Sequence, residues 1–225
     1  MATVILLLAG KGTRLGETTP KQFIKIKDKS LFMYPLITFA KNPKINNILL
    51  VVPDGYQAQV NEEIIENKIN KVHEIIIGGK TRSESVAHAL KFLEDIGTNE
   101  DEIILIHDAA RVLVNDAIID KNIEFCDKFG AVCTVIPNSD TLFKSNDSMV
   151  IDNVIDRNNV YNAQTPQSFK FSLIQKAYKE GKVEATDDAQ LMLKLNQPVH
   201  IVLGNKFNFK VTTSDDLELL KSLLG

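Results

Sequence analysis

Residues Thr3 to Gly16 read Thr-Val-Ile-Leu-Leu-Leu-Ala-Gly-Lys-Gly-Thr-Arg-Leu-Gly, and Pro20-Lys21-Gln22 follows. A continuous apolar run that breaks into glycines marks a strand buried on both faces, opening into a loop at its carboxyl end. Glycines let backbone N–H groups approach a ligand closely, and fixed cations such as Arg14 and Lys21 can hold polyphosphate. The spacing excludes two familiar loops. A Walker A loop needs a glycine, four residues and then Gly-Lys-Ser/Thr, which is absent. A dinucleotide fingerprint needs Gly-x-Gly-x-x-Gly, but Leu15 occupies the third glycine position and Gly16 comes one place late. That rules out a Rossmann dehydrogenase. What remains is a nucleotide loop of another kind, or a loop that only imitates one.

Outward from this stretch, strands and helices alternate. Asn47 to Val52 is a second buried strand stopped by Pro53, Glu74 to Ile77 a third, Glu102 to Ile106 a fourth and Ala131 to Ile136 a fifth. Helices are expected from Ser30, as cap, to Lys41, from Gln57 to Ile69, from Ser83 to Asp95 and from Asp116 to Phe129. This rhythm predicts an α/β fold with a doubly wound, mostly parallel sheet, Rossmann-like in outline. The rhythm breaks after Pro137. Asp140 to Lys144 and Met149 to Val154 flank the polar Ser145-Asn146-Asp147-Ser148, a β-hairpin signal. A hairpin with little to pack against is expected to protrude as an arm, at about residues 138–156, and to serve dimerisation; a plain edge hairpin is the alternative. An irregular loop from Ala163 to Phe169, two helices, strands at Val199 to Leu203 and Phe207 to Val211, and a helix from about Ser214 complete a single expected domain over 1–225.

Composition narrows the class. Apolar residues make up 44% and charged residues 24%, a globular balance, and the formal net charge of −3 gives no reason to expect a nucleic-acid partner. No apolar run reaches the roughly 18 residues that cross a bilayer, and Met1 to Val4 reads as a strand start rather than a signal peptide. Cys126 and Cys133 are isolated thiols outside any metal-binding spacing, as expected of buried cysteines in the cytoplasm.

In open α/β sheets, ligands bind beyond the carboxyl ends of the strands, and the polar clusters of this chain fall there. They are Arg14 and Lys21, Gly78-Gly79-Lys80-Thr81-Arg82-Ser83-Glu84-Ser85, His107-Asp108-Ala109-Ala110-Arg111, and a later group of Arg157, Gln164-Thr165-Pro166-Gln167, Thr186-Asp187-Asp188 and Lys210. Each alone has a plainer reading. Gly78-Gly79 could be only a tight turn with Ser83 capping the next helix, His107-Asp108 a satisfied polar pair, Thr186-Asp187-Asp188 a helix start, and Lys210 an edge-strand charge. Their convergence at one end of the sheet favours a site for a nucleoside triphosphate and a phosphorylated second substrate. No serine or cysteine has an adjacent base. Attack by the substrate's own phosphate on the α-phosphorus needs only positioning and charge neutralisation, and Arg14 and Lys21 could supply both. Triphosphate chemistry normally uses Mg²⁺, and Asp108 is the best-placed carboxylate to meet it or the substrate.

These motifs, with Asp156-Arg157 and Asn208-x-Lys210-x-Thr212, resemble those of the 2-C-methyl-D-erythritol 4-phosphate cytidylyltransferases of non-mevalonate isoprenoid synthesis, across essentially the whole chain. The resemblance implies transfer of CMP from CTP to the polyol phosphate, with Mg²⁺, in a cytoplasmic homodimer. It implies that Arg14 and Lys21 stabilise the transition state and that Arg157 and Lys210 position the attacking phosphate. Leu7, Leu8, Ala9, Gly10, Gly78, Gly79, Lys80, Arg82 and Ser85 would hold CTP. Asp108, Arg111, Thr141, Thr165 and Thr186 would surround the acceptor, with Thr141 and Arg157 reaching across the dimer on the arm. Val112, Lys194, Asn196 and Phe209 depart from the family's usual proline, glutamate, glycine and isoleucine, which leaves the acceptor's identity open. The sister ribitol-5-phosphate cytidylyltransferases share nearly all the motifs, whereas Ala110 and Ser85-Val86 favour the erythritol enzyme. A non-catalytic nucleotide-binding module is the alternative of another class; a pair of transition-state cations argues against it.

Overall fold

The structure of the chain, a computed structural model, describes residues 2–9, 20–147, 149–180 and 187–225. In chain order its strands are β1 (Ala2–Leu7), β2 (Lys25–Ile26), β3 (Lys29–Ser30), β4 (Asn47–Val52), β5 (Val72–Ile77), β6 (Ile103–Asp108), β7 (Ala131–Pro137), β8 (Leu142–Lys144), β9 (Asn153–Ile155), β10 (Tyr161–Lys170) and β11 (His200–Leu203). The helices are α1 (Met33–Lys41), α2 (Gln57–Glu66), α3 (Arg82–Asp95), α4 (Asp116–Phe129), α5 (Phe171–Glu180), α6 (Asp188–Lys194) and α7 (Ser214–Leu224).

Seven strands form one sheet in the order β5-β4-β1-β6-β10-β7-β11. All pairs are parallel except those of β10, which runs antiparallel to both β6 and β7. The unbroken apolar run of β1 is explained by burial on both sides. Val4 and Leu6 point to one face, against Leu36 and Phe39 of α1 and Ile118 of α4. Ile5 and Leu7 point to the other, against Val86 and Leu90 of α3 and Ile174 of α5. Each such side chain contributes roughly 1.5–3 kcal/mol by leaving water. From β1 the chain winds outward through β4 and β5, then returns to β6 on the other side of β1. The strand order therefore reverses between β1 and β6, and the carboxyl ends at such a reversal are where open α/β sheets place ligands.

The largest departure from the sequence reading is residues 163 to 169, expected as a loop. They belong to β10, a ten-residue strand near the middle of the sheet. Its register breaks between Ala163 and Gln167, so Pro166 sits where a missing N–H costs no ladder bond. Its polar side chains hid it from pattern reading, yet its polar groups are satisfied inside: Ser168 Oγ donates to Asn122 Oδ1 at 2.9 Å, and the Pro166 backbone carbonyl accepts from Thr134 Oγ1 of β7 at 2.6 Å. The expected strand at Phe207 to Val211 is irregular instead, tied down by Asn208 Nδ2 bonds to Gln164 Oε1 and the Thr165 carbonyl. Ser30 caps no helix: it ends β3, its hydroxyl donates to Glu63 at 2.7 Å, and α1 starts only at Met33. The N-cap of α3 is Thr81 rather than Ser83. The hairpin is present with shorter strands, β8 and β9, and exposes Phe143, Met149, Val150, Ile151 and Val154.

Candidate active site

The first wall forms where β1 and β5 end. Leu8 N–H donates to the Val51 carbonyl and Gly78 N–H to the Val52 carbonyl, so both loops leave the sheet beside β4. They touch: a Cβ on Gly78 would lie 2.4 Å from Ala9 Cβ and 2.9 Å from Ser85 Oγ. A Cβ on Gly79 would lie 2.3 Å from Glu84 Cβ. These glycines answer to close approach, since any side chain would push the loops apart. Ser85 Oγ accepts from Gly79 N–H at 3.1 Å and donates to the Thr81 carbonyl at 2.9 Å, while the exposed Lys80 gives its N–H to the Glu84 carboxylate at 2.6 Å. Leu7, Leu8, Ala9, Gly78, Gly79 and Ser85 are thus assembled at one end of the sheet. Gly10, Lys11, Gly12, Thr13, Arg14, Leu15, Gly16 and Thr186 lie outside the described residues.

The second wall centres on Asp108, the last residue of β6. Arg82 Nε lies 3.2 Å from its Oδ1 and Lys210 Nζ 2.6 Å from its Oδ2. Burial alone would raise the Asp108 pKa, but the charges of Arg82, Lys210 and Arg111 hold the carboxyl well below the usual carboxylate range. Arg82 reaches further: its Nη2 is 2.8 Å from Oδ2 of the fully buried Asp188, whose Oδ1 accepts from the Tyr178 hydroxyl at 2.6 Å. Burial opposes the Arg82 charge, yet these carboxylates hold its pKa above the ordinary arginine value. Gln167 Oε1 accepts from the N–H groups of Asp188 and Ala189, fixing the start of α6 against β10. Arg111 spends its guanidinium on the backbone, donating to the carbonyls of Asn208 at 2.9 Å and Ala163 at 3.1 Å, and burial lowers its pKa. Lys21 is buried and donates to the Val211 carbonyl at 2.6 Å, one residue from Lys210.

A relay through His107 positions the backbone of this wall. His107 Nε2 faces the Arg111 carbonyl at 3.0 Å, an acceptor only, which assigns the ring proton to Nε2. Nδ1 then accepts from the Thr165 hydroxyl at 3.1 Å, and Thr165 Oγ1 accepts from Asp108 N–H at 3.1 Å. Burial pushes the His107 pKa down to about 4, so the imidazole is neutral at physiological pH. Thr165 therefore has its proton committed to His107.

Thr141 and Arg157 are not part of this cluster. Both are exposed on or beside the hairpin, with Arg157 donating to the Ser139 carbonyl at 2.7 Å. Sequence reasoning gave no role to Tyr178, Gln167 or Asp188 individually. The only signal for Tyr178 was a tyrosine on an amphipathic helix, where a buried hydroxyl needs a partner. Chemically, the described residues offer cations around two carboxylates, Asp108 and the fully buried Asp188, an arrangement suited to phosphorylated ligands. They offer no nucleophile: burial pushes the Cys126 and Cys133 thiols up to about 12. Among the described residues no three His, Cys, Asp or Glu gather as metal ligands, and both Asp108 oxygens already hold cations, so the described donor set does not fit a protein-held Mg²⁺.

Comparison with known proteins identifies the family and supports the fold. The family model described as 2-C-methyl-D-erythritol 4-phosphate cytidylyltransferase matches residues 2–225. A relative so named from Thermotoga neapolitana is 39% identical over 98% of this chain and 96% of its own length. A ribitol-5-phosphate cytidylyltransferase from Lacticaseibacillus paracasei is 33% identical over 100% of this chain and 98% of its own. The crystal structure of 4-diphosphocytidyl-2C-methyl-D-erythritol synthase from Anaerococcus prevotii superposes with a TM-score of 0.83 at 26% identity, covering 99% of this chain and 97% of that one. The chain belongs to the 2-C-methyl-D-erythritol 4-phosphate cytidylyltransferase family and is a nucleotidyltransferase.

The depressed His107 pKa makes stability depend on pH. An unfolded histidine takes up its proton near pH 6.5, whereas folded His107 does so only near pH 4. The contribution of neutral His107 is therefore complete above about pH 6.5, drains as pH falls towards 4, and is on the order of 3 kcal/mol. Urea unfolding across this window should show the decline, and His107→Gln should flatten it; an unchanged slope in the variant contradicts the assignment.

Proposed function

We propose that this chain transfers CMP from CTP to 2-C-methyl-D-erythritol 4-phosphate. An oxygen of the acceptor's phosphate attacks the α-phosphorus of CTP, the new P–O bond forms, the α–β bridging bond breaks, and pyrophosphate leaves with the bonding electrons. No enzyme nucleophile takes part. The observation that carries the reading is the pairing of two walls: the close approach of Gly78 after β5 to Ala9 after β1, and the Asp108–Arg82–Lys210 cluster at the end of β6.

The glycine loops hold cytosine and ribose through backbone groups, with Ser85 fixing Gly79. Arg14 and Lys21 neutralise charge that grows on the α-phosphate, the kind of preorganised stabilisation typically worth several kcal/mol. Lys210 and Arg157 orient the acceptor phosphate. Asp108, held ionised and therefore acceptor-only, takes hydrogen bonds from polyol hydroxyls, with Arg111, Thr141, Thr165 and Thr186 around it. Mg²⁺ enters with the triphosphate, whose oxygens are its natural ligands. The arm completes a homodimer, carrying Thr141 and Arg157 to the neighbouring site; its exposed Phe143, Met149, Val150 and Ile151 supply an apolar contact face. Free, buried Cys126 and Cys133 suit a reducing cytoplasm.

The second reading, ribitol 5-phosphate as acceptor, is favoured by the 33%-identical relative of that name. Ala110 and Ser85-Val86 favour methylerythritol phosphate. Pyrophosphate release measured with each acceptor decides: kcat/KM should be at least roughly tenfold higher on the methylerythritol substrate, a difference of about 1.4 kcal/mol in transition-state binding, and EDTA should abolish turnover. A preference for ribitol 5-phosphate overturns the first reading. Mixing an Arg14→Ala chain with an Arg157→Ala chain should regenerate one complete site per heterodimer; no recovery contradicts the shared arm.

A further inference from the structure

Arg82 is the first residue of α3, directly after the glycine loop, but its guanidinium turns away from that loop and into the protein. Nε engages Asp108 at 3.2 Å and Nη2 engages Asp188 at 2.8 Å, while Nη1 is buried without a hydrogen-bond partner. A planar fork gripping two carboxylates is the geometry in which Arg and Lys are not interchangeable. The two carboxylates belong to different elements. Asp108 ends β6 and shares its other oxygen with Lys210; Asp188 begins α6 and is anchored by Tyr178 of α5. One side chain thus ties the element that carries the nucleotide loop to the carboxylate and the helix start that border the acceptor pocket.

We propose that Arg82 is a positioning residue for the acceptor: it does not bind the nucleotide, but sets the orientation of Asp108 and the start of α6. This rests on the cytidylyltransferase reading above. Two features support it. Nε and Nη2 are committed to carboxylates, and the unpartnered Nη1 is buried, away from any phosphate at the surface of the loop. And α3 is locked to the loop at its own first turn, by the Thr81 cap and the Ser85 hydroxyl, so the position of Arg82 follows the position of the loop. Occupancy of the nucleotide loop and the shape of the acceptor pocket are therefore coupled, and by linkage the coupling runs both ways.

The test separates positioning from nucleotide binding and from plain stability. Arg82→Lys keeps the charge but loses the fork. Arg82→Met with Asp188→Asn removes the arginine without leaving a buried unpaired carboxylate, and should recover much of the melting temperature that Arg82→Met alone loses. In both variants, CTP affinity measured by calorimetry without acceptor should stay within roughly twofold of wild type, while kcat/KM for the polyol phosphate falls roughly tenfold or more. Weakened CTP binding that matches the acceptor defect would make Arg82 a nucleotide ligand. Recovery of acceptor kinetics together with melting temperature in the double variant would reduce it to a structural residue. An active wild type and an unaltered acceptor kcat/KM in Arg82→Lys would overturn the proposal alone; a wild type silent on every polyol phosphate would overturn the reading and the proposal together.

Discussion

The Asp108 carboxylate lies between Arg82 and Lys210, and the rest of the site is arranged around that pairing. A carboxylate this buried would be costly if left alone, and removing one partner of such a pair typically leaves an uncompensated charge worth several kcal/mol. The protein therefore has to bring cations to the end of β6 from elsewhere in the chain. Arg82 comes from the helix after β5 and Lys210 from the irregular segment before α7. Each brings its neighbours: the glycine loop arrives with Arg82, and the Val211 carbonyl, with Lys21 upon it, arrives with Lys210. One electrostatic requirement thus accounts for the convergence of four distant stretches of sequence.

The sheet explains why the convergence happens where it does. Parallel strands put all their carboxyl ends on one side, and the strand order reverses between β1 and β6, the kind of place where open α/β sheets bind ligands. The antiparallel β10 adds what a purely parallel sheet could not. It runs past the end of β6 in the opposite sense, so Thr165 and Gln167 meet His107, Asp108 and α6 from the side. Neutral His107 turns this meeting into a directed chain of hydrogen bonds, which leaves the backbone of Asp108 no freedom to turn away from the site.

Much of this was legible in the residues. The apolar runs of β1, β4, β6 and β7 and the capped stretch of α4 carry strong local signals, and the motifs marked the ends of the right strands. Where reading failed, tertiary contacts outweighed local pattern. β10 has a proline and a run of polar residues, and only its partners Asn122, Thr134 and His107 make that a strand. Phe207 to Val211 has the apolar composition of a strand, but Asn208 pins it as a loop. Arg82 was grouped with the CTP-holding residues by the resemblance alone; that its side chain reaches Asp108 and Asp188 was not legible, because these carboxylates lie far away in sequence. Tyr178 and Asp188 could not have been paired from spacing at all.

The central claim is that the acceptor is read by an ionised Asp108 held in place from both sides. Asp108→Asn tests it most directly, because the amide keeps the shape and removes the charge. Steady-state kinetics with CTP saturating should show acceptor kcat/KM reduced by roughly a hundredfold, with CTP affinity little changed. Acceptor kinetics within a fewfold of wild type would contradict the account.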